Sequence, residues 1–251
     1  MIKKFNHKNI IGYVNNGVTE IANESGSKEQ VNYLVMEYGA KGDLYDYIAN
    51  TGSFSEELAR FYTVQLMNGL RHMYDKGHCH RDIKLENLMI NDKYQLKITD
   101  FDTVANIYGD NNCGLLSDYC GTRQYMAPEL LAKDYYVGEK VDMFALGAML
   151  FMMVTGSAAF VEANRSDERY KFICRKQYAK FWAFYDHEEY SEEFKSLIEA
   201  LLNPESEKRP TLSDLNHYPW FKANSGEDLT KKEAATEMAN RYEMIALQEA
   251  Q

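Results

Sequence analysis

Two apolar runs open the chain, Ile10 to Val14 and Val31 to Met36, and both have the length and branched-residue content of strands. Between them, Asn15 to Gln30 is polar and contains Gly, Ser and Glu, which predicts a surface loop. From Asp43 onward the apolar period lengthens to that of helices. A short helix is predicted over 43–50, and Ser55-Glu56-Glu57 offers a capping hydroxyl and two carboxylates at the start of a longer one. Leu58, Phe61, Tyr62, Leu66, Leu70 and Met73 fall at helical spacing on it, and Gly77 can end it. Residues 87–90 and 95–99 alternate around Asn91-Asp92 and predict a hairpin. The period is lost over 100–129, which includes Gly109-Asp110-Asn111-Asn112 and predicts a long, partly mobile loop. Helices then return. Met143 to Val154 is apolar on all sides and predicts a helix buried on most of its surface, while Phe194, Leu197, Ile198, Leu201 and Leu202 form an amphipathic stripe. After Trp220-Phe221 the chain turns charged, and Thr230 with Glu233 predicts a capping box for a last helix to about residue 250.

Composition narrows the possible partners. The 251 residues suffice for one sizeable core. A net charge of −10 disfavours nucleic acid or an anionic membrane as the main partner and suits basic peptides. Cys79, Cys113, Cys120 and Cys174 have neither metal-ligand spacing nor disulfide density, which points to a reducing, intracellular, cytoplasmic setting. His78, Cys79 and His80 are adjacent, so on an extended chain they point to opposite sides and make a poor zinc site. Met1-Ile2-Lys3-Lys4 leads into polar residues without a secretory signal, and the longest apolar run falls short of the ~20 residues of a spanning helix.

The chemistry concentrates in His80-Arg81-Asp82-Ile83-Lys84-Leu85-Glu86-Asn87. Asp82 can accept or orient a hydroxyl proton, Lys84 can neutralise a transferring phosphoryl group, and Asn87 offers a neutral oxygen to a hard cation. Taken alone, the string also reads as a charged surface loop. Against that reading, Asp100-Phe101-Asp102, Ala127-Pro128-Glu129, Asp142 and Gly147 on the apolar helix, and Arg209 follow in order.

With these motifs, residues 1–222 resemble the eukaryotic protein kinases, most closely Ser/Thr kinases of the calmodulin-dependent and AMP-activated type. Lys84, and Cys120-Gly121-Thr122 ahead of Tyr125-Met126-Ala127-Pro128-Glu129, carry that closer likeness. The resemblance implies an α+β protein-kinase-like fold: a mainly helical C-lobe with an incomplete small β N-lobe. Residues 1–36 would be the N-lobe remnant, 37–42 the hinge, 43–222 the C-lobe, and 223–251 a charged helical tail outside the likeness. It further implies transfer of the γ-phosphoryl group of ATP to protein Ser or Thr, with Mg²⁺. Asp82 would be the base, Lys84 the charge stabiliser, and Asn87 with Asp100 the metal ligands, Phe101 packing beneath. Met36 would be the gatekeeper. The backbones of Glu37 and Gly39 would pair with adenine, Asp43 would meet the ribose, and Met89 would lie under the ring.

Other residues would hold or regulate this machinery. Glu129 and Arg209 would form a buried ion pair, and Asp142 would accept hydrogen bonds from the catalytic-loop backbone and hold His80-Arg81. Arg81 suggests control by the activation loop, where Asp118 stands at the usual phosphosite and would partly substitute for a phosphate; Ser117 and Thr122 are alternative sites. Glu86 falls where basophilic relatives read an upstream arginine, while Met152 replaces a second such glutamate. Asp102 departs from the family's glycine, narrowing the backbone's freedom and adding negative charge beside the metal site.

The family's glycine-rich loop, strand lysine and helix glutamate have no counterpart in the chain, and Ile2 and Tyr13 would be the surviving small-lobe contacts. The expectation is a piece of a longer kinase that binds ATP weakly by itself. The alternatives are a pseudokinase acting as a protein-binding scaffold, or an unrelated acidic helical interaction protein.

Overall fold

The computed structural model describes residues 1–22, 26–109, 112–185, 189–222 and 229–249, so Asp110 and Asn111 of the expected activation-loop turn lie outside it. The first departure from expectation comes at once. Strand β1 (Tyr13–Ala22) pairs antiparallel with β2 (Lys28–Met36), from Tyr13 opposite Met36 to Ala22 opposite Lys28. Most of the expected loop from Asn15 to Gln30 is therefore hairpin. The reason is burial: alternation marks a strand only when one face lies on a core, and here Val14, Val18, Ile21 and Leu34 all stay exposed.

The helical body follows the periodicity closely. Asp43 caps α1 (Leu44–Thr51), its Oδ1 accepting from the Asp46 N–H at 3.0 Å, and Ser55 caps α2 (Glu56–Asp75) through the Leu58 N–H. Four short strands follow: β3 (His78–Cys79), β4 (Leu88–Ile90), β5 (Leu96–Ile98) and β6 (Ala105–Asn106). They form two antiparallel ladders, β4 with β5 and β3 with β6. The remaining helices are α3 (Pro128–Leu131), α4 (Gly138–Thr155), α5 (Tyr170–Cys174), α6 (Tyr178–Trp182), α7 (Glu192–Leu201), α8 (Leu212–Leu215), α9 (Pro219–Lys222) and α10 (Lys231–Glu249).

The core is centred on α4, where every residue from Val141 to Val154 is buried. Each large apolar side chain fully buried there contributes about 1.5–3 kcal/mol. Helix α7 lays its predicted stripe against α4, and its Phe194, Leu197, Ile198 and Leu201 are wholly inaccessible. At the far end of α2, Glu56 accepts from the Trp220 indole N–H at 2.7 Å and from the Ser191 hydroxyl at 2.6 Å. No helix among the described residues is long and apolar enough to cross a membrane.

The charged C-terminal segment is docked. Thr230 and Glu233 form the expected capping box, and Ala234 and Met238 of α10 are fully buried. Arg241 donates to the Thr51 hydroxyl at 2.8 Å and to the carbonyls of Gly52 and Ser53 at 3.1 and 2.9 Å. It thereby supplies a donor to carbonyls of the turn that follows α1. The Lys41 ammonium lies 4.0 Å from the centre of the Tyr242 ring.

Candidate active site

Two buried elements hold the His80–Asn87 loop in place. Asp142 on α4 is fully inaccessible; its two oxygens accept from the His80 N–H at 2.8 Å and the Arg81 N–H at 2.6 Å, and the Tyr74 hydroxyl adds a third bond at 3.1 Å. Burial pushes the Asp142 carboxyl above the ordinary range, and the neighbouring His80 and these donors offset part of that rise. The His80 ring, also fully buried, pairs its Nε2 with the Thr99 carbonyl at 3.0 Å, and its Nδ1 faces the Asp82 N–H at 3.3 Å. Arg81 adopts a left-handed backbone (φ 69°), which only surrounding contacts can maintain in a residue with a side chain.

Within the loop the reactive groups are knit together. Lys84 Nζ lies 2.9 Å from Asp82 Oδ2 and donates to the Thr122 hydroxyl at 2.8 Å. The Asn87 amide donates to the Asp82 carbonyl at 2.9 Å and to Asp82 Oδ2 at 3.2 Å. Asp82 Oδ1 is buried and has no hydrogen-bond partner among the described residues. A buried polar atom left unpaired costs about 1–3 kcal/mol, so this oxygen is placed to receive a hydrogen bond from something bound. Thr122 reaches Lys84 because Gly121 takes φ 100°, with its Cα so close that an added Cβ would stand 2.7 Å from the Arg81 carbonyl oxygen.

Asp100 joins this group from β5's side. The Thr99 N–H donates to the Asn87 carbonyl at 3.0 Å, and Asp100 follows with an exposed side chain on a left-handed backbone, φ 62°. Among the described residues no hydrogen bond reaches Asn87 Oδ1. One exposed carboxylate and one amide oxygen that accepts no hydrogen bond are a donor pair of the kind that suits Mg²⁺. The residues fit the ion. Asp102 sits outside the left-handed region, so the departure from glycine brings no backbone strain at that position. Phe101 stacks on Phe5 at 5.7 Å and lies 5.9 Å from the His80 ring. Phe5, which carries no motif, thus joins the N-terminal segment to Phe101. Ile2 is buried, whereas the Tyr13 ring lies under Lys3 and its hydroxyl bonds Asn16.

The hinge residues meet the same scaffold. The Glu37 N–H donates to the Gly12 carbonyl at 2.7 Å, and its carboxylate pairs with Lys97, itself only 8% exposed, at 2.8 Å. Among the described residues no backbone hydrogen bond reaches the Glu37 carbonyl. The Gly39 carbonyl accepts from Gly42 at 3.2 Å, and among the described residues the Gly39 N–H makes no backbone hydrogen bond. Met89 lies directly below: a Cβ at Gly39 would come within 2.6 Å of Met89 Cε. Met36 ends β2 with 38% of its surface open. Asp43 already spends Oδ1 on the α1 cap, and burial raises its carboxyl.

The activation segment is irregular apart from β6, a 3₁₀ turn at Arg123–Tyr125 and a bridge between Leu116 and Tyr136. Arg81 pairs with Asp118 at 3.1 Å and donates to the Thr103 carbonyl at 2.6 Å and the Tyr136 hydroxyl at 2.8 Å. Glu86 accepts from Tyr125 at 3.4 Å, close to the Met152 sulfur, which lies 3.5 Å from the same hydroxyl. Glu129 and Arg209 form a two-pronged pair at 2.6 and 2.7 Å, with Arg209 1% exposed and stacked 4.9 Å from the Phe144 ring centre. Tyr136, Thr103, Lys97 and Phe5 carry no motif, and sequence reasoning did not find them.

The protein kinase domain profile matches residues 1–221. The chain is 33% identical over 219 residues to CBL-interacting protein kinase 11 of Oryza sativa subsp. japonica, covering 87% of this chain and 42% of that protein. It is 32% identical to CBL-interacting serine/threonine-protein kinase 26 of Arabidopsis thaliana, covering 89% and 47% respectively. It is also 32% identical to the serine/threonine-protein kinase CHK1 of Mycosarcoma maydis, covering 85% and 31%. The chain spans less than half the length of these curated relatives. With a catalytic loop built on Asp142 and a domain profile running through residue 221, the chain belongs to the protein kinase family.

Proposed function

We propose that this site transfers the γ-phosphoryl group of ATP to a serine or threonine hydroxyl of a protein. The observation that carries the reading is the Asp82 carboxylate: one oxygen is held by Lys84 and Asn87, and the other is buried with no partner among the described residues. The open oxygen orients the acceptor hydroxyl and takes its proton. Lys84, braced between Asp82 and Thr122, places positive charge beside the acceptor. Mg²⁺, held by Asn87 and Asp100, supplies charge neutralisation for the phosphates when bound. The Glu37 carbonyl and Gly39 N–H hold the adenine edge above Met89, with Met36 at the back and the second oxygen of Asp43 toward the ribose. Glu86 and the net charge of −10 favour a basic sequence around the acceptor.

Because Asp100 is exposed, its contacts with phosphates act in water-like surroundings where each is worth little. The 251-residue chain therefore turns over slowly by itself. The test is phosphate incorporation from Mg-ATP into Ser/Thr peptide libraries. Asp82→Asn is expected to lower the rate about 10²–10⁴-fold, the usual worth of a positioned base. Equal rates for the two proteins would refute the reading. A folded chain that neither binds Mg-ATP nor turns over would instead support a protein-binding pseudokinase, the reading favoured by the added charge of Asp102.

A further inference from the structure

Helix α2 turns its main apolar stripe, Leu58, Tyr62 and Leu66, into the core. Phe61 and Val64 form a second stripe outside it, with Phe61 half-buried and Val64 42% exposed. These two side chains line an open cavity of about 350 Å³ together with Tyr94 of the β4–β5 turn, Phe221 and Leu229. The walls are fixed: the Tyr62 hydroxyl donates to the Tyr94 carbonyl at 3.0 Å, and Phe221 packs edge-on against the fully buried Trp220. Lys8, Lys93 and Lys231 line the cavity too; all three are exposed, and among the described residues none forms an ion pair. Glu57 is the one carboxylate among the described lining residues, so these lysines alone leave a surplus of two positive charges in a chain of net −10. One polar group in the wall is unanswered. Asn9, 2% exposed, donates through Nδ2 to Gln65 Oε1 and to the Leu96 carbonyl, both at 3.1 Å, while its Oδ1 is buried without a partner among the described residues. Such an acceptor gains from any N–H or O–H that reaches it.

We propose that this cavity binds a small organic anion with an aromatic body and an N–H or O–H donor. The volume falls in the range of ligand clefts, about 300–1,000 Å³, which are mostly apolar with a few convergent polar groups. Burying the aromatic body against Phe61, Val64 and Tyr94 supplies most of the affinity. The acidic group meets the three lysines and sets the sign of charge that is accepted. A bare inorganic anion does not suffice, because exposed ammonium groups hold it weakly in water. The donor answers Asn9 Oδ1 and fixes the ligand's orientation. None of these residues takes part in the phosphotransfer proposed above, so the inference is independent of that reading.

The test titrates the intact chain with 2-anilinonaphthalene-6-sulfonate, which combines aromatic rings, a sulfonate and one N–H. Fluorescence gives the affinity, and amide shifts in ¹H–¹⁵N spectra give the place. Saturable binding is expected, with the largest shifts over 60–68 and 93–95. Val64→Glu, at an exposed helix position, should weaken binding about 10-fold by putting a carboxylate against the rings. Lys93→Glu should weaken it about 2–5-fold at low salt and by less at high salt. The ether analogue, 2-phenoxynaphthalene-6-sulfonate, lacks the N–H and should bind about 2–10-fold more weakly, the net worth of one hydrogen bond. Val18→Ser on the apolar ribbon should change nothing. No saturable binding, shifts centred on β1–β2, or an affinity untouched by Val64→Glu and Lys93→Glu would overturn the proposal.

Discussion

In the β1–β2 ribbon an apolar residue buries little. In the helical body it is the main source of stability. Val14 and Val18 are each 62% exposed and Ile21 51%, whereas Phe144, Leu146 and Leu150 of α4 are wholly inaccessible. A two-stranded hairpin standing alone is marginal in water, and this one is joined to the body through Ile11, Glu37 and Lys97 at its base. The catalytic loop draws its geometry from the body, through Asp142 and the β3–β6 and β4–β5 ladders. The geometry of the His80–Asn87 loop is therefore insulated from the ribbon's side chains, while the 37–42 segment is exposed to them.

Substitutions can sharpen this contrast. Arg209→Ala should have the largest effect, leaving Glu129 without its partner and removing the stack on Phe144; breaking a buried pair costs about 3–5 kcal/mol. Urea unfolding should show it as a lower midpoint. Asp142→Ala comes next, since it orphans the N–H groups of His80 and Arg81; an unsatisfied buried donor costs about 1–3 kcal/mol. Because burial raises the Asp142 carboxyl above 3.8, its contribution is full below that pH and declines as pH rises through the folded value. The stability gap between the two proteins should therefore narrow from acid toward neutral pH. A gap that widened would refute the sign.

Asp118→Ala should act more weakly. Its side chain is 71% exposed, so the pair with Arg81 is worth about 0.2–1 kcal/mol and is screened by salt. Hydrogen exchange over 116–122 should quicken at low ionic strength and show no difference at high. Unchanged exchange at low salt would mean that Asp118 does not stand in for a phosphate. Val18→Ser should do least, within about 0.5 kcal/mol, as surface substitutions usually are. A large loss there would show that the ribbon shares the body's core.

The sequence was most legible where motif and burial agree. Asp82, Lys84 and Asn87 fall within one short string because their contacts are local, and the α4 and α7 patterns reflect a real core. The hairpin over Asn15–Gln30 was hidden because both of its faces meet water, which leaves no alternation to read. Tyr136 was invisible for another reason: it meets Arg81 from 55 positions away, with nothing in the intervening chain to mark it. Arg241 read as one more solvated charge of the tail, and only its place beside the end of α1 gives it a partner.

That arginine changes where the folding unit stops. The domain profile ends at residue 221, yet the carbonyls of Gly52 and Ser53 are answered from residue 241. A truncation drawn at the end of that profile would remove the donor that answers these carbonyls and bare the apolar seat of Met238. Homology therefore marks out a shorter unit than the one that closes its own hydrogen bonds.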